Sequence, residues 1–218
     1  MRKIMYCTLD TETLGGAAKP EGIYNLGGTI HDRNGISVAS FNILVAEHFQ
    51  KILEKAFYGK KNFNRYQEMI NNGAITVVAT EAEAINLVDS LLNVYNVKYI
   101  MAFNTGFDLV RTACGKLVEN REFIDIYEMA YTILRVRPSY KKYCIEHNFV
   151  SKTKNPRCNV ETVYGFLTNN PDFEEEHTAF SDARQEMEIF VKCVKAHKKY
   201  NKNIHCCARF DWAQKKEN

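Results

Sequence analysis

The stretch Cys7-Thr8-Leu9-Asp10-Thr11-Glu12-Thr13-Leu14-Gly15-Gly16 decides the fold, because it places two carboxylates at the end of a predicted core strand. Residues Ile4 to Leu9 are mostly apolar, and this run predicts a short buried strand. Side chains at i and i+2 of a strand point to the same face, so Asp10 and Glu12 should project side by side. Their like charges raise each other's pKa unless a cation lies between them. Such a pair suits Mg²⁺ or Mn²⁺, although the stretch alone is also compatible with a solvated acidic turn.

The composition is that of one ordinary globular domain. The chain has 218 residues, of which 45% are hydrophobic and 25% charged, and these values exclude a fibrous, low-complexity or disordered chain. This length favours one α/β domain with a well-buried core. No apolar run approaches the roughly 18 residues needed to span a membrane, and the N-terminus leads into a strand without a secretory signal. A cytoplasmic protein with no membrane partner is therefore expected.

The cysteines indicate reduced thiols. There are 7 of them, an odd number without CxxC spacing, as expected for a cytosolic protein. Four residues near the C-terminus could in principle gather a metal: His197, His205, Cys206 and Cys207. Their spacing matches no familiar zinc pattern, so surface or packing roles are favoured for them.

The distribution of charge favours a polyanionic partner. The net charge is only +3, but if several acids pool at one metal site the remaining surface is more basic than this total suggests. An excursion at about 47–79 interleaves basic and aromatic residues. A surface helical segment with its own small aromatic core is the favoured interpretation, and a nucleic-acid contact is the alternative. The pattern comprises Lys51, Lys55, Lys60, Lys61, Arg65, Phe49, Phe57, Tyr58, Phe63 and Tyr66.

The order of predicted elements is that of one mixed sheet. Gly22 to Asp32 and Ile36 to Ala46 are strand-like and flank a turn, which predicts an antiparallel meander after the first strand. Thr80 and Glu83 then resemble the capping box of a helix. The helix leads to another apolar strand, and a right-handed crossover would place that strand parallel in the same sheet.

A second acid follows this later strand. Val97 to Phe103 is the strand, and either Asn104 or Thr105 can cap a helix predicted to run through Leu117. Asp108 would then lie in the first turn, where the helix dipole favours a carboxylate. Asp108 also lies beyond the carboxyl end of a core strand, which is the usual ligand edge of an open α/β sheet. A ligand-binding role is therefore favoured over a role that only complements the helix dipole.

A third acid and a histidine lie further along, in His177-Thr178-Ala179-Phe180-Ser181-Asp182. Thr178 is a good N-cap for a helix that continues to about His197, so Asp182 falls in the first turn and His177 just before it. A short strand at 123–126 and three helices at about 127–134, 139–147 and 160–167 fill the interval. Asp125 in that strand is most simply a helix-capping acid.

These positions together indicate metal-dependent phosphoryl chemistry. Four carboxylates close together cannot all be ionised without cations, and two divalent ions are the economical solution. The unperturbed pKa of histidine, near 6.5, suits His177 to accept a proton from water near neutral pH.

The pattern resembles the three motifs of the DEDDh exonucleases. These motifs are the strand-borne Asp10-x-Glu12, the central Asn104-x-x-Phe107-Asp108, and the final His-x4-Asp that opens a helix. This DnaQ-like family includes proofreading-subunit exonuclease domains, RNase T and oligoribonuclease. The resemblance extends from Ile4 to about Lys195, and its most specific part is the run from His177 to Glu186.

The resemblance implies an RNase H-like α/β fold, a mixed five-stranded sheet flanked by helices. It implies 3′-to-5′ release of nucleotides with two Mg²⁺ or Mn²⁺ ions. Carried onto this chain, the metal ligands are Asp10, Glu12, Asp108 and Asp182, and His177 is the general base. Contacts with the substrate are expected from Thr13, Leu14, Asn104 and Phe107.

The resemblance ends at about Lys195, before the polar and basic C-terminal residues. Residues 1–198 would form the exonuclease domain and 199–218 a polar, basic tail. The substrate would be a single-stranded 3′ end, with DNA slightly favoured over RNA, and small family members often act as homodimers. Two alternatives stay open: an RNA-trimming or oligoribonuclease-type enzyme, and a module that binds nucleic-acid ends and cleaves them only incidentally.

Overall fold

A computed structural model describes residues 3–16 and 19–196 of the chain. Its centre is a six-stranded sheet in the order β4-β3-β2-β1-β5-β6. The strands are β1 (Met5–Gly16), β2 (Lys19–His31), β3 (Ser37–Val45), β4 (Thr76–Val78), β5 (Val97–Ala102) and β6 (Glu122–Asp125). The helices are α1 (Ala46–Phe49), α2 (Ile52–Lys55), α3 (Gly59–Asn71), α4 (Glu81–Val94), α5 (Thr105–Asp108), α6 (Ile126–Ile133), α7 (Pro138–Glu146), α8 (Val160–Thr168) and α9 (Ala179–Ala196), with a 3₁₀ helix at Ala113–Val118.

The sheet is mixed, as predicted. β1, β2 and β3 form the antiparallel meander, and β5 and β6 add parallel strands on the other side of β1. The sheet has six strands rather than five because β4 pairs in parallel with β3. β4 is only 3 residues long, too short to show an alternating pattern in the sequence.

β1 is longer than its apolar run suggested. Its parallel pairing with β5 ends at Thr8, but its antiparallel pairing with β2 continues to Gly16. Asp10 and Glu12 therefore lie within a strand, not in a turn after one. They lie in the part of β1 that β5 leaves uncovered, so one edge of the strand is open to other groups.

The helix predicted from Asn104 through Leu117 is wrong. Only the single turn of α5 forms, and the 3₁₀ helix follows after an irregular segment. A continued helix would use the Asp108 carbonyl for the main-chain N–H of Thr112. Instead, the hydroxyl of Thr112 donates to that carbonyl and also accepts from Cys114 N. This side-chain competition ends the helix.

Helices cover both faces of the sheet. One buried cluster joins β5 and β6 to α6, α7, α8 and α9, and a second joins the meander to α4 and the 3₁₀ helix. The predicted capping box at the start of α4 forms, with Thr80 and Glu83 exchanging hydrogen bonds. A third, smaller cluster combines Phe49, Ile52 and Tyr66 of the excursion with Leu14, Tyr24 and Leu44 of the sheet. The aromatic residues of the excursion therefore pack on the sheet and do not form a core of their own.

The described cysteines form no disulfide with one another: Cys7, Cys114, Cys144 and Cys193 are buried, and Cys158 is partly buried. The group of His197, His205, Cys206 and Cys207 lies outside the described residues, as does the tail at 199–218. Among the helices that the structure describes, none combines the length and hydropathy needed to cross a membrane.

Candidate active site

The start of α9 lies directly against the sheet beside β1. A Cβ atom added at Gly27 of β2 would lie only 2.1 Å from the main-chain nitrogen of Phe180, so glycine is what permits this approach. α9 packs on both β1 and β2. The acid-bearing first turn of α9 is thereby brought next to the acid pair of β1.

Asp10 lies within electrostatic range of the other three predicted acids. Burial raises the pKa of Asp10 well above its usual value, and the charges of Asp108, Glu186, Asp182 and Glu12 raise it further. Burial is also the main cause that raises the pKa of Asp182 to about 9, that of Glu12 to about 8 and that of Asp108 to about 7. Such a set of carboxylates is stable in ionised form only beside positive charge.

Two hydrogen bonds from Thr11 of β1 hold the carboxylate of Asp108 in place. Its Oδ1 accepts the main-chain N–H of Thr11 at 3.1 Å and the Thr11 hydroxyl at 2.6 Å. Both bonds favour the charged carboxylate and oppose the effect of burial on its pKa. Thr11 separates the two acids of β1, so the same three residues supply Asp10, Glu12 and the support of Asp108. Sequence reasoning missed this role of Thr11.

One part of the site fits a divalent cation. Ligand atoms of Glu12, His177 and Asp182 all lie within 4.8 Å of one another. The Oδ1 atom of Asp182 is buried without a hydrogen-bond partner among the described residues. A buried acceptor without a donor costs about 1–3 kcal/mol, and a cation would satisfy it. Hard carboxylate oxygens are the donors that Mg²⁺ and Mn²⁺ prefer. The ligand roles of Glu12 and Asp182 and the general-base role of His177 stay predictions.

His177 has an unusual local conformation. Its φ of 54° lies in the left-handed region, which costs a non-glycine residue roughly 1–2 kcal/mol. Its ring stacks on that of Tyr58, with centroids 3.6 Å apart and planes 11° from parallel. Burial and the nearby charge of Lys61 lower the pKa of His177, so the neutral imidazole that can accept a proton is favoured at neutral pH.

A buried asparagine connects the site to the excursion. The Oδ1 atom of Asn25 accepts from Ala179 N at 2.9 Å and from the Tyr66 hydroxyl at 3.0 Å. Its Nδ2 donates to Asn42 and to the carbonyl of Ile43. The hydrogen-bonding capacity of the Asn25 amide is therefore filled. No motif in the sequence marks this residue.

Glu186 is a fifth acid that sequence reasoning did not assign. It is 2% exposed, and its Oε2 accepts Phe103 N at 3.0 Å. Burial and the charge of Asp108 raise its pKa. It lies four residues after Asp182, one turn further along the same helix face, so the helical spacing within the third motif could have identified it.

The four residues predicted to contact substrate differ in their solvent exposure. Thr13 and Phe107 are partly buried and Asn104 is exposed, whereas Leu14 is 2% exposed and packs in the third cluster, between the sheet and the excursion. Leu14 could therefore meet a nucleotide only through its main chain. All four assignments stay predictions.

Asp125 caps a helix, as its position suggested. It accepts Tyr127 N at the start of α6 at 2.9 Å. It also accepts from Asn104 N and from the hydroxyl of Thr105 at 3.1 Å each. These bonds join the carboxyl end of β6 to the turn that carries Asp108.

Comparison with known proteins gives a likeness of fold. No protein-family model and no curated protein matches the chain. Exonuclease X in complex with 5′-overhanging duplex DNA matches with a TM-score of 0.53 at 13% identity, over 92% of this chain and 97% of that one. A product-bound exonuclease I gives 0.52 at 13% identity, over 90% of this chain and 44% of that one. The zinc-bound complex of E. coli exonuclease I with single-stranded DNA gives 0.52 at 15% identity, over 97% and 43%.

The fold is therefore the RNase H-like α/β fold, a mixed sheet flanked by helices. The resemblance to DnaQ-like exonucleases is confirmed at the level of that fold. The chain spans less than half the length of exonuclease I.

Proposed function

We propose that this protein is a metal-dependent 3′-to-5′ exonuclease that releases nucleoside monophosphates from single-stranded ends, with DNA slightly favoured over RNA. The observation that carries the proposal is that ligand atoms of Glu12, His177 and Asp182 lie within 4.8 Å of one another, while Asp10 interacts with the charges of Asp108, Asp182 and Glu12. These five side chains come from three distant parts of the sequence. The exonucleases of similar fold add weight, since one is described with single-stranded DNA and a zinc ion.

The proposed roles follow from the chemistry of each group. The four aspartate and glutamate residues would hold Mg²⁺ or Mn²⁺, which when bound supplies Lewis-acid stabilisation of the charge that develops on the scissile phosphate. Neutral His177 would accept the proton of the attacking water at a ring nitrogen. Asp108, which Thr11 holds in place, would keep its oxygen oriented throughout.

The test uses oligonucleotides labelled at one end or the other. With Mg²⁺ and a 5′ label, we expect a ladder that shortens by single nucleotides, and with a 3′ label we expect immediate release of a labelled mononucleotide. Asp10→Ala should abolish both signals and His177→Ala should strongly reduce them. Full activity in Asp10→Ala, or release from the 5′ end first, would contradict the proposal.

A second candidate function is that of a module that binds nucleic-acid ends, with only incidental cleavage. The observation that favours it is Phe57 in the excursion, which is 86% exposed and lies between Lys55 and Lys61 in the sequence. Salt-sensitive binding that survives loss of all four acids, together with negligible turnover in Mg²⁺ and Mn²⁺, would support this function. A side-by-side assay on matched DNA, RNA and two-to-five-nucleotide substrates distinguishes the proposed enzyme from an RNA-trimming or oligoribonuclease-type enzyme.

A further inference from the structure

Three residues of the excursion lie against the segment that carries His177. Tyr58 directly precedes α3, and Asn62 and Arg65 lie on α3. We call Tyr58, Asn62 and Arg65 the clamp. Each of them contacts residue 176 or 177, although more than 100 positions separate them in sequence.

The contact of Tyr58 is with the flat face of the imidazole. The two rings are nearly parallel at a centroid distance of 3.6 Å. A stack of this kind restrains the tilt and rotation of the His177 ring. It leaves both ring nitrogens free, because they lie in the plane of the ring. The edge of the imidazole can therefore be directed at Glu12 and Asp182, within 4.8 Å, while its face is held from the side.

The contacts of Asn62 and Arg65 are with the main chain. Asn62, which is 1% exposed, donates from Nδ2 to the carbonyl of His177. Arg65 donates to the carbonyl of Glu176 at 3.0 Å and reaches its carboxylate at 3.4 Å. These bonds satisfy carbonyl groups at a point where the backbone of His177 takes a left-handed φ. The clamp therefore holds both the ring and the strained backbone beneath it.

The clamp is itself fixed to the sheet. Gly59 follows Tyr58 and lies so close to α2 that an added Cβ would be 1.8 Å from the Ile52 carbonyl oxygen. Further along α3, the Tyr66 hydroxyl donates to Asn25, whose same oxygen accepts from Ala179 at the start of α9. α3 and the segment after His177 thus share one buried anchor, which sets the position of one relative to the other.

We propose that Tyr58 is a positioning residue that holds the imidazole of His177 in its productive orientation, and that Asn62 and Arg65 support it by fixing the main chain. The inference rests on the proposed function, in which His177 is the general base. Displacement of a reacting group by about 1 Å can cost about 100-fold in rate. Loss of the stack should therefore lower kcat about 10- to 100-fold. KM should stay nearly unchanged, because Tyr58 acts on the general base His177 and not on the substrate.

The test combines kinetics with NMR of the full chain. A stacked ring shifts the imidazole protons of His177 upfield, and their signals are assigned by their absence in His177→Gln. We expect Tyr58→Leu to lose this upfield shift and to have a lower kcat. Tyr58→Phe keeps an aromatic face and should keep both the upfield shift and the wild-type kcat. Gln67→Ala, an exposed change on α3, is the matched control and should change neither. If Tyr58→Leu does not fold, Tyr58→Met takes its place, since it also lacks a ring.

The outcomes separate this inference from the proposed function. A lost ring shift with wild-type kcat, or an equal loss of kcat in Tyr58→Phe and Tyr58→Leu, would overturn the positioning role. An unchanged ring shift in Tyr58→Leu would overturn the stack itself. An inactive wild-type protein would overturn the proposed function instead, and the ring shift would still report whether Tyr58 holds His177.

Discussion

Asn25 accepts the main-chain N–H of Ala179 at 2.9 Å, across 154 residues of sequence. This bond fixes the first turn of α9, and hence Asp182, to the strand next to β1. The same oxygen accepts the hydroxyl of Tyr66. One buried amide thus joins the meander, the excursion and the third motif.

Asn25→Ala should lower the free energy of unfolding by about 2–4 kcal/mol, because it leaves buried donors and acceptors unpaired. Urea unfolding measures the change. Asn64→Ala, at an exposed position of α3, is the control and should stay within about 0.5 kcal/mol of the wild type. A loss as small as that of the control would show that the Asn25 network adds little to stability.

Thr11→Val should weaken metal binding while the fold stays intact. The substitution removes the hydroxyl that lies 2.6 Å from Asp108 and keeps the volume of the side chain and the main-chain N–H. Loss of a group that orients a metal ligand typically costs about 10- to 100-fold in metal affinity or activity. A Mg²⁺ titration of exonuclease activity should show a higher midpoint, and Thr11→Ser should restore most of the affinity. An unchanged Mg²⁺ midpoint in Thr11→Val would show that the Thr11 hydroxyl does not orient a metal ligand.

The metal-free protein should lose stability as the pH rises. In the folded state the pKa values of Asp108, Glu12 and Asp182 are raised to about 7, 8 and 9, whereas unfolded carboxyl groups titrate near about 4. The folded state thus retains protons that the unfolded state has released, and this stabilisation is lost as the pH rises through the folded values.

In chelator, the thermal unfolding midpoint should therefore fall between about pH 6 and pH 9. Added Mg²⁺ should reduce the fall, because a cation offsets the repulsion of the ionised acids. Asp182→Asn should also reduce it, since one titrating group is gone. A midpoint in chelator that is constant or rises over this range would show that the pKa values of these acids are not raised by folding.

Phe57→Ala should raise KM for single-stranded substrates without changing kcat. The side chain is 86% exposed and packs edge-to-face on Tyr58 at 4.8 Å, so a base could stack on its free face. Stacking of a base on an aromatic ring contributes about 1–3 kcal/mol, which corresponds to a rise in KM of about fivefold or more. Val94→Ala, which removes an exposed apolar side chain from the end of α4, should leave KM unchanged. Equal KM values in the two variants would exclude a stacking role.

Much of the fold could be predicted from local patterns. The apolar run of β1, the capping box at Thr80 and the amphipathic face of α9 each follow from local propensity, and each forms. The approach of Asp108 to the acids of β1 also followed from sequence, because carboxyl ends of parallel strands share one edge of a sheet. The meander placed β1 at the centre of that sheet.

The features of the fold and site that local patterns did not predict depend on contacts between distant residues. The bond of the Thr112 hydroxyl to the Asp108 carbonyl ends α5, and helix propensity does not encode it. Asn25 and Tyr58 lie outside the catalytic motifs, and Thr11 is the unspecified position of the first motif. Each of the three meets its partner only in the folded chain. β4 is held by its pairing with β3 rather than by any pattern of its own.

The most direct test of the central claim compares two acids on the same helix. Asp182→Asn changes the buried acid of the site and Glu188→Gln changes an exposed acid on α9, and single-nucleotide release from a 5′-labelled single strand is measured across a Mg²⁺ titration. A bound metal contributes several kcal/mol to such a reaction, so Asp182→Asn should lose about a thousandfold in rate. Glu188→Gln should retain wild-type activity. Mg²⁺-dependent release that is as fast in Asp182→Asn as in Glu188→Gln would contradict the claim that these carboxylates form the metal site of an exonuclease.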